Sequence, residues 1–175
     1  MEEIERIQEK AYSRGLNLTK LDWRLAQRQL SLIGKNKFIL DIGCNTGELT
    51  KVIAKNNKVI GMELSEGAVK LGKNKGLDIR VGNIYKIPFK DNTFDVVYIS
   101  EVIEHLLETD RALTEVHRVL KPQGRLILTT PNCTSFRDRI LVLFGHLQSY
   151  AQHLEHVRLF NKERIVKYVK KNNFQ

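Results

Sequence analysis

Short apolar runs alternate with amphipathic stretches along most of this chain. Five runs read as strands: 37–42 (KFILDI), 58–63 (KVIGME), 78–82 (DIRVG), 94–99 (FDVVYI) and 125–130 (RLILTT). Each is short, rich in Val, Ile, Leu or Phe, and bounded by turn-forming or polar residues. Helical spacing predicts helices over 48–55, from Ser65 as the cap to about Lys73, and over 109–120, where Lys121-Pro122-Gln123-Gly124 ends the last. Ahead of the first strand, 2–12 reads as a charged helix and 17–33 as a second. Leu18, Leu21, Trp23 and Leu25 form its core-facing side, and Gly34-Lys35-Asn36 stops it. Beyond the fifth strand, helices are expected over 135–144 and 162–171, the latter capped by Asn161.

Strands that alternate with helices and run nearly continuously apolar belong to a sheet covered on both faces. The expectation is therefore an α/β fold, a doubly wound, mostly parallel, Rossmann-like sheet with right-handed crossovers. A length of 175 residues fits one such domain. Residues 1–36 form an N-terminal helical segment, a lid or cap, ahead of a binding domain at 37–175. In such sheets ligands lie beyond the carboxyl ends of the strands. The places to search are thus 41–47, Glu63, 82–84, 100–105 and 129–132.

Composition narrows the partners more than the fold. The net charge of +9 and a pI near 9.6 favour acidic partners, RNA among them, although no aromatic–basic RNA-binding motif is visible. Cys44 and Cys133 lie far apart, which removes a CxxC zinc cluster and fits a reducing compartment. No run is apolar enough for a membrane span, and the acidic start MEEIER lacks a signal peptide's order; a cytoplasmic location is expected.

The chemistry concentrates at the strand ends. Gly43 and Gly47 in DIGCNTG leave room for a ligand against the backbone, with the helix from Glu48 presenting unpaired N–H groups. The loop is not the dinucleotide fingerprint GxGxxG. Asp41, two residues before its first glycine, suits a ligand carrying positive charge. Glu63 ends the second strand twenty residues after Gly43, where an acid accepts hydrogen bonds from ribose hydroxyls. Asn83 and Ile84 can serve an adenine edge and face, and Ser100 and Glu101 close the fourth strand. Cys44, with no histidine near it in sequence, reads as a packing residue rather than a nucleophile.

Four segments together resemble the class I S-adenosylmethionine-dependent methyltransferases, in their small-molecule, ubiquinone-type branch: FILDIGCNTG, IPFKDNTFDVVYISEVIEHL, VLKPQGRLILTTPN and HVRLFNKERIVKYVKKNNF. They cover about residues 37–175, in order. The resemblance implies that S-adenosyl-L-methionine is the cofactor and that the protein is a methyltransferase acting on a small molecule. It places Gly43, Cys44, Asn45 and Gly47 in the turn under the methionine moiety, with Asp41 near the amino group. Glu63 then holds the ribose, Leu64, Asn83 and Ile84 frame the adenine, and Ser100 and Glu101 face the amino end. Asn45 replaces a commoner glycine, and Asn tolerates left-handed backbone. Asn83 replaces a common aspartate. The family sheet closes with an antiparallel terminal hairpin, whereas this sequence stops at Gln175. The fifth strand is then an apolar edge, which a homodimer or the 131–160 segment is expected to cover.

The same segments carry a possible metal constellation, Glu101, Glu104 and His105 with His153 and His156. Comparable positions serve magnesium or manganese in small-RNA 3′-terminal 2′-O-methyltransferases and part of the ubiquinone O-methyltransferase branch. Many relatives with this segment need no metal, and no ligand is assigned. No general base is assigned either; His105, His153 and His156 are candidates by position. The competing functions are a nucleotide-dependent dehydrogenase, against which the missing GxGxxG argues, a non-catalytic cofactor-binding module, and an RNA methyltransferase with a divalent metal.

Overall fold

A computed structural model describes residues 23–135, 140, 143–144 and 156–174, the side chains of 23–27 excepted. The elements run α1 (Trp23–Ile33), β1 (Phe38–Ile42), α2 (Glu48–Ile53), β2 (Lys58–Glu63), α3 (Glu66–Asn74) and β3 (Ile79–Val81). They continue with β4 (Phe94–Ser100), a 3-10 turn (Ile103–His105), α4 (Thr109–Val119), β5 (Leu120–Thr129) and α5 (Lys162–Lys171). All four strand pairs are parallel, in the order β3-β2-β1-β4-β5. The reversal of chain progression between β1 and β4 opens a crevice at their carboxyl ends, as the alternating pattern predicts.

The period of two along each strand divides the core between the two faces. Ile39, Val59, Val96 and Tyr98 pack with Ile33 of α1 and Ile53 of α2. Leu40, Ile42, Met62, Val97 and Ile99 pack on the other face with Leu113, Val116 and Val119 of α4. Tyr98 is fully buried, and its hydroxyl donates to Oε1 of buried Gln29 on α1 at 2.5 Å. That bond ties α1 to the centre of the sheet. The helix tips follow the capping rules: Ser65 Oγ accepts from Ala68 N, and Asn161 Oδ1 accepts from Arg164 N.

Differences from the sequence expectation are local. α2 stops at Ile53 rather than 55. Leu120 belongs to β5, pairing with Phe94, and the ladder slips before resuming at Arg125 opposite Val96. Pro122 lacks an N–H for that ladder and Gln123 takes a left-handed φ of 64°, so 121–124 bulge outward. The expected helices over 2–12 and 135–144, and the core face of Leu18, Leu21, Trp23 and Leu25, lie outside the described residues, except for 140 and 143–144.

β5 ends the sheet, and among the described residues no strand pairs with its outer edge. A groove of about 1120 Å³ runs beside it, with Leu126 and Leu128 facing Ile165 and Val169 of α5. Of the 131–160 segment, the described part reaches only the tip of this edge, through an Asn132–Phe160 bridge. Also among the described residues, no helix is long and apolar enough to cross a membrane.

Removing the Tyr98 hydroxyl strands a buried amide oxygen on Gln29. Tyr98→Phe is expected to cost about 1–3 kcal/mol, read as a lower urea midpoint at unchanged slope.

Candidate functional site

Gly43 follows β1 with φ 71°, and Gly47 caps α2 with φ 81°. Both angles favour glycine, but sterics add a second reason that differs from the expected ligand clearance. A Cβ on Gly43 would run into Val102, and one on Gly47 into Leu77 and Ile79. The two glycines therefore let the loop settle onto its own protein neighbours. Asn45, between them, also has a left-handed φ, 50°, and its Oδ1 accepts from Thr46 N at 2.7 Å.

Glu63 joins this loop to the end of β2. Its Oε2 accepts from Asn45 N at 2.9 Å, and its Oε1 from Leu64 N at 2.8 Å and Ser65 N at 3.0 Å. Three backbone donors aimed at one buried carboxylate compensate much of its lost hydration. Oε1 is thereby saturated, whereas Oε2, with one donor, still keeps a lone pair for a ligand. Asp41 sits behind the loop, 3% exposed, accepting from Thr50 Oγ1 at 2.6 Å. Burial raises its carboxyl to about 7; the Thr50 bond opposes the rise and nearby Glu63 adds to it. Burial also drives the Cys44 thiol far up, so it is held as an unreactive thiol. A Cβ at Gly61 would touch Cys44 Sγ, which places the thiol as packing against β2.

A cavity of about 460 Å³ opens above these strand ends. Of the residues expected at the site, Gly43, Glu63, Leu64, Asn83 and Ile84 line it. Asp41, Cys44, Asn45, Gly47, Ser100 and Glu101 do not. Ser100 shares a 2.9 Å hydrogen bond with Thr129, and Glu101 is exposed, with a left-handed φ of 55°. Asn83 Oδ1 accepts from Tyr85 N at 2.9 Å, so part of the acceptor capacity expected for a ligand is used within the loop.

The cavity also has walls that sequence reasoning missed: Tyr85, Val102, Leu106, Leu107 and Arg111. The Tyr85 hydroxyl accepts from Leu107 N at 3.0 Å and Glu108 N at 3.3 Å, tying the loop after β3 to the turn after β4. The Arg111 guanidinium stands 5.5 Å from the centre of the Tyr85 ring. An aromatic after NI in a polar turn was the only available signal, and it carries no spacing rule. His105 lines the cavity, and its ring lies 4.8 Å from that of His156. His153 lies outside the described residues.

Glu104, beside His105, is 2% exposed. Burial lifts its carboxyl to about 7; repulsion from Glu101 adds to the rise, and the bond from Thr130 Oγ1 to its Oε2 at 3.0 Å opposes it.

The family described as methyltransferase domain matches residues 40–128. A demethylmenaquinone methyltransferase of Lactiplantibacillus plantarum is 33% identical over 151 residues, 74% of this chain and 64% of that protein. One of Symbiobacterium thermophilum is 38% identical over 101 residues, 51% of this chain and 40% of that protein. The chain thus spans less than two thirds of the length of these curated relatives. Among solved structures, a SAM-dependent methyltransferase of Thermotoga maritima superposes with a TM-score of 0.72 at 24% identity, covering 100% of this chain and 82% of that one. A phosphoethanolamine N-methyltransferase of Haemonchus contortus, solved with S-adenosyl-L-methionine, gives 0.66 at 22% identity, covering 87% of this chain and 37% of that one.

The raised carboxyl of Asp41 has a signed consequence for stability. The folded chain keeps a proton on Asp41 that the unfolded chain releases near 3.8. That contribution is full below the unfolded value and is lost as pH rises towards about 7. In urea melts, wild-type stability relative to Asp41→Asn should therefore decline between about pH 4 and 7 and level off above. A constant difference across that range would count against a buried, protonated Asp41.

Proposed function

Because this chain belongs to the methyltransferase domain family, we propose that its cleft binds S-adenosyl-L-methionine and that the protein transfers the methyl group to a small-molecule acceptor. The observation that carries this reading is Glu63, an acid at the end of β2 that lines a cavity together with the glycine loop. The cavity's size lies within the range of about 300–1,000 Å³ usual for such ligands. Its make-up suits a nucleoside with a charged tail: a carboxylate for the ribose hydroxyls, and Leu64 and Ile84 as apolar cover for the adenine. Asn83 supplies an amide at the adenine edge. Gly43, Cys44, Asn45 and Gly47 shape the floor under the methionine moiety, and Asp41 adds a carboxyl behind it. Ser100 and Glu101 complete the amino end at the tip of β4.

The bound cofactor supplies the electrophilic sulfonium methyl, so the chain's task is positional. Its residues hold the nucleoside, exclude water with Val102, Leu106 and Leu107, and orient an acceptor in line with the methyl carbon. His105 is the base candidate that reaches the cavity, with His156 beside it. Relatives named demethylmenaquinone methyltransferase favour a quinone-like aromatic acceptor. RNA is the second reading, favoured by the net charge of +9 and by Lys86 and Arg111 at the cavity wall.

Calorimetry with S-adenosylhomocysteine checks the cofactor. Wild type should bind, and Glu63→Ala should bind at least about tenfold more weakly, ~1.4 kcal/mol. A well-folded sample that takes up no cofactor removes the reading. Transfer of a labelled methyl to hydroquinone-type phenols, with RNA as the parallel arm, then separates an enzyme from a cofactor-binding module.

A further inference from the structure

The far wall of the cleft, 106–108, is held by polar ties more than by burial. Leu106 and Leu107 both line the cavity, yet Leu107 is 47% exposed. A half-exposed leucine gains little from packing, so backbone bonds decide where this wall stands. Nor does the wall fasten itself to α4. Glu108, at the cap position, makes no side-chain cap bond, whereas Ser65 and Asn161 do so at their helices.

Two side chains from distant segments supply the ties. The Tyr85 hydroxyl, from the loop after β3, accepts from Leu107 N and Glu108 N. Arg158, on the strap that leads into α5, donates from Nε to Leu106 O at 3.2 Å and through Nη2 to Leu107 O at 2.7 Å. Leu107 is thus gripped at its N–H by one residue and at its carbonyl by the other. Arg158 is itself fixed, donating through Nη1 to the Tyr168 hydroxyl of α5 at 3.0 Å. That anchor stands apart from the cavity, which Arg158 does not line. The Tyr85 anchor belongs to the cavity. Tyr85 N donates to Asn83 Oδ1 at 2.9 Å, and Lys86 N donates to Asn83 O at 3.1 Å. A chain of hydrogen bonds therefore runs from Asn83 through Tyr85 to the amides of the wall.

We propose that Tyr85 is a positioning residue: its hydroxyl couples the loop carrying Asn83 and Ile84 to the wall at 106–108, so that a nucleoside seated on the loop fixes the wall against which the acceptor is aligned. The inference rests on the cofactor reading. Its weight comes from the geometry that group transfer needs, since a misplacement of about 1 Å can cost on the order of 10²-fold in rate.

Residue-resolved amide exchange of the full-length chain by NMR is the test, with and without saturating S-adenosylhomocysteine, alongside calorimetry for binding. In wild type the ligand should slow exchange at 83–86 and, by at least about tenfold, at Leu107 and Glu108. Tyr85→Phe keeps the ring against Arg111 and removes the hydroxyl alone. It should bind S-adenosylhomocysteine within about threefold of wild type and keep the slowing at 83–86, while the response at Leu107 and Glu108 falls below about twofold. A tie that merely stabilised the fold would speed both amides equally with and without ligand and leave that response intact. Tyr85→Leu, read in the same way, guards against one variant failing to fold, which far-UV circular dichroism reports. Three results overturn the proposal: a wall response kept above that limit in a folded variant, no wall response in wild type that binds, or binding by Tyr85→Phe weakened beyond threefold, which makes the hydroxyl a ligand contact. Wild type that takes up no S-adenosylhomocysteine removes the cofactor reading and this coupling with it; binding without the wall response removes the coupling alone.

Discussion

The carboxylate of Glu63 is the joint on which the crevice depends. It takes one backbone N–H from the loop after β1 and two from the turn after β2, so two strand ends share a single buried acid. Without it, the amides of Asn45, Leu64 and Ser65 would face the cavity unpaired, and the glycine loop would lose its hold on the sheet. An acid placed this way does structural work and still keeps one acceptor site, on Oε2, for a ligand. That double duty explains why a charged residue sits almost fully buried at a strand end.

The second acid works differently. Asp41 is set behind the loop, against Thr50 in the first turns of α2, and does not reach the cavity wall. It holds the start of α2 against β1 and contributes a carboxyl at short range. The pair thus divides its roles, one acid at the surface of the cleft and one beneath it. The cleft's far wall is made by the turn after β4, which Tyr85 ties to the loop after β3 and Arg158 to the strap carrying His156.

Much of this was legible in the residues because it follows from local rules. Strand periodicity located all five strands, and the side-chain caps Ser65 and Asn161 are where the pattern put them. Asn45 adopts the left-handed backbone its short amide permits. Gly43, Glu63, Leu64, Asn83 and Ile84 were legible because strand ends in this topology converge on one crevice. Tyr85 and Arg111 were not, since their place at the cavity comes from the packing of α4 and the loop after β3. The glycines were found for an incomplete reason: their neighbours are Val102, Leu77 and Ile79, far apart in sequence.

The linear pattern of apolar runs, caps and turn residues determined the order of elements and the parallel sheet, because those depend on neighbours within a few positions. It also determined which strand ends carry acids. Only the tertiary structure decided which acid faces the cavity and which lies behind it, since that depends on the pleat and on the seating of α2. The meeting of Glu104 and His105 with His156 belongs to the same class. Residues about fifty positions apart in the sequence come together there through a strap whose register is set by hydrogen bonds to Glu104 O, and no local rule encodes that.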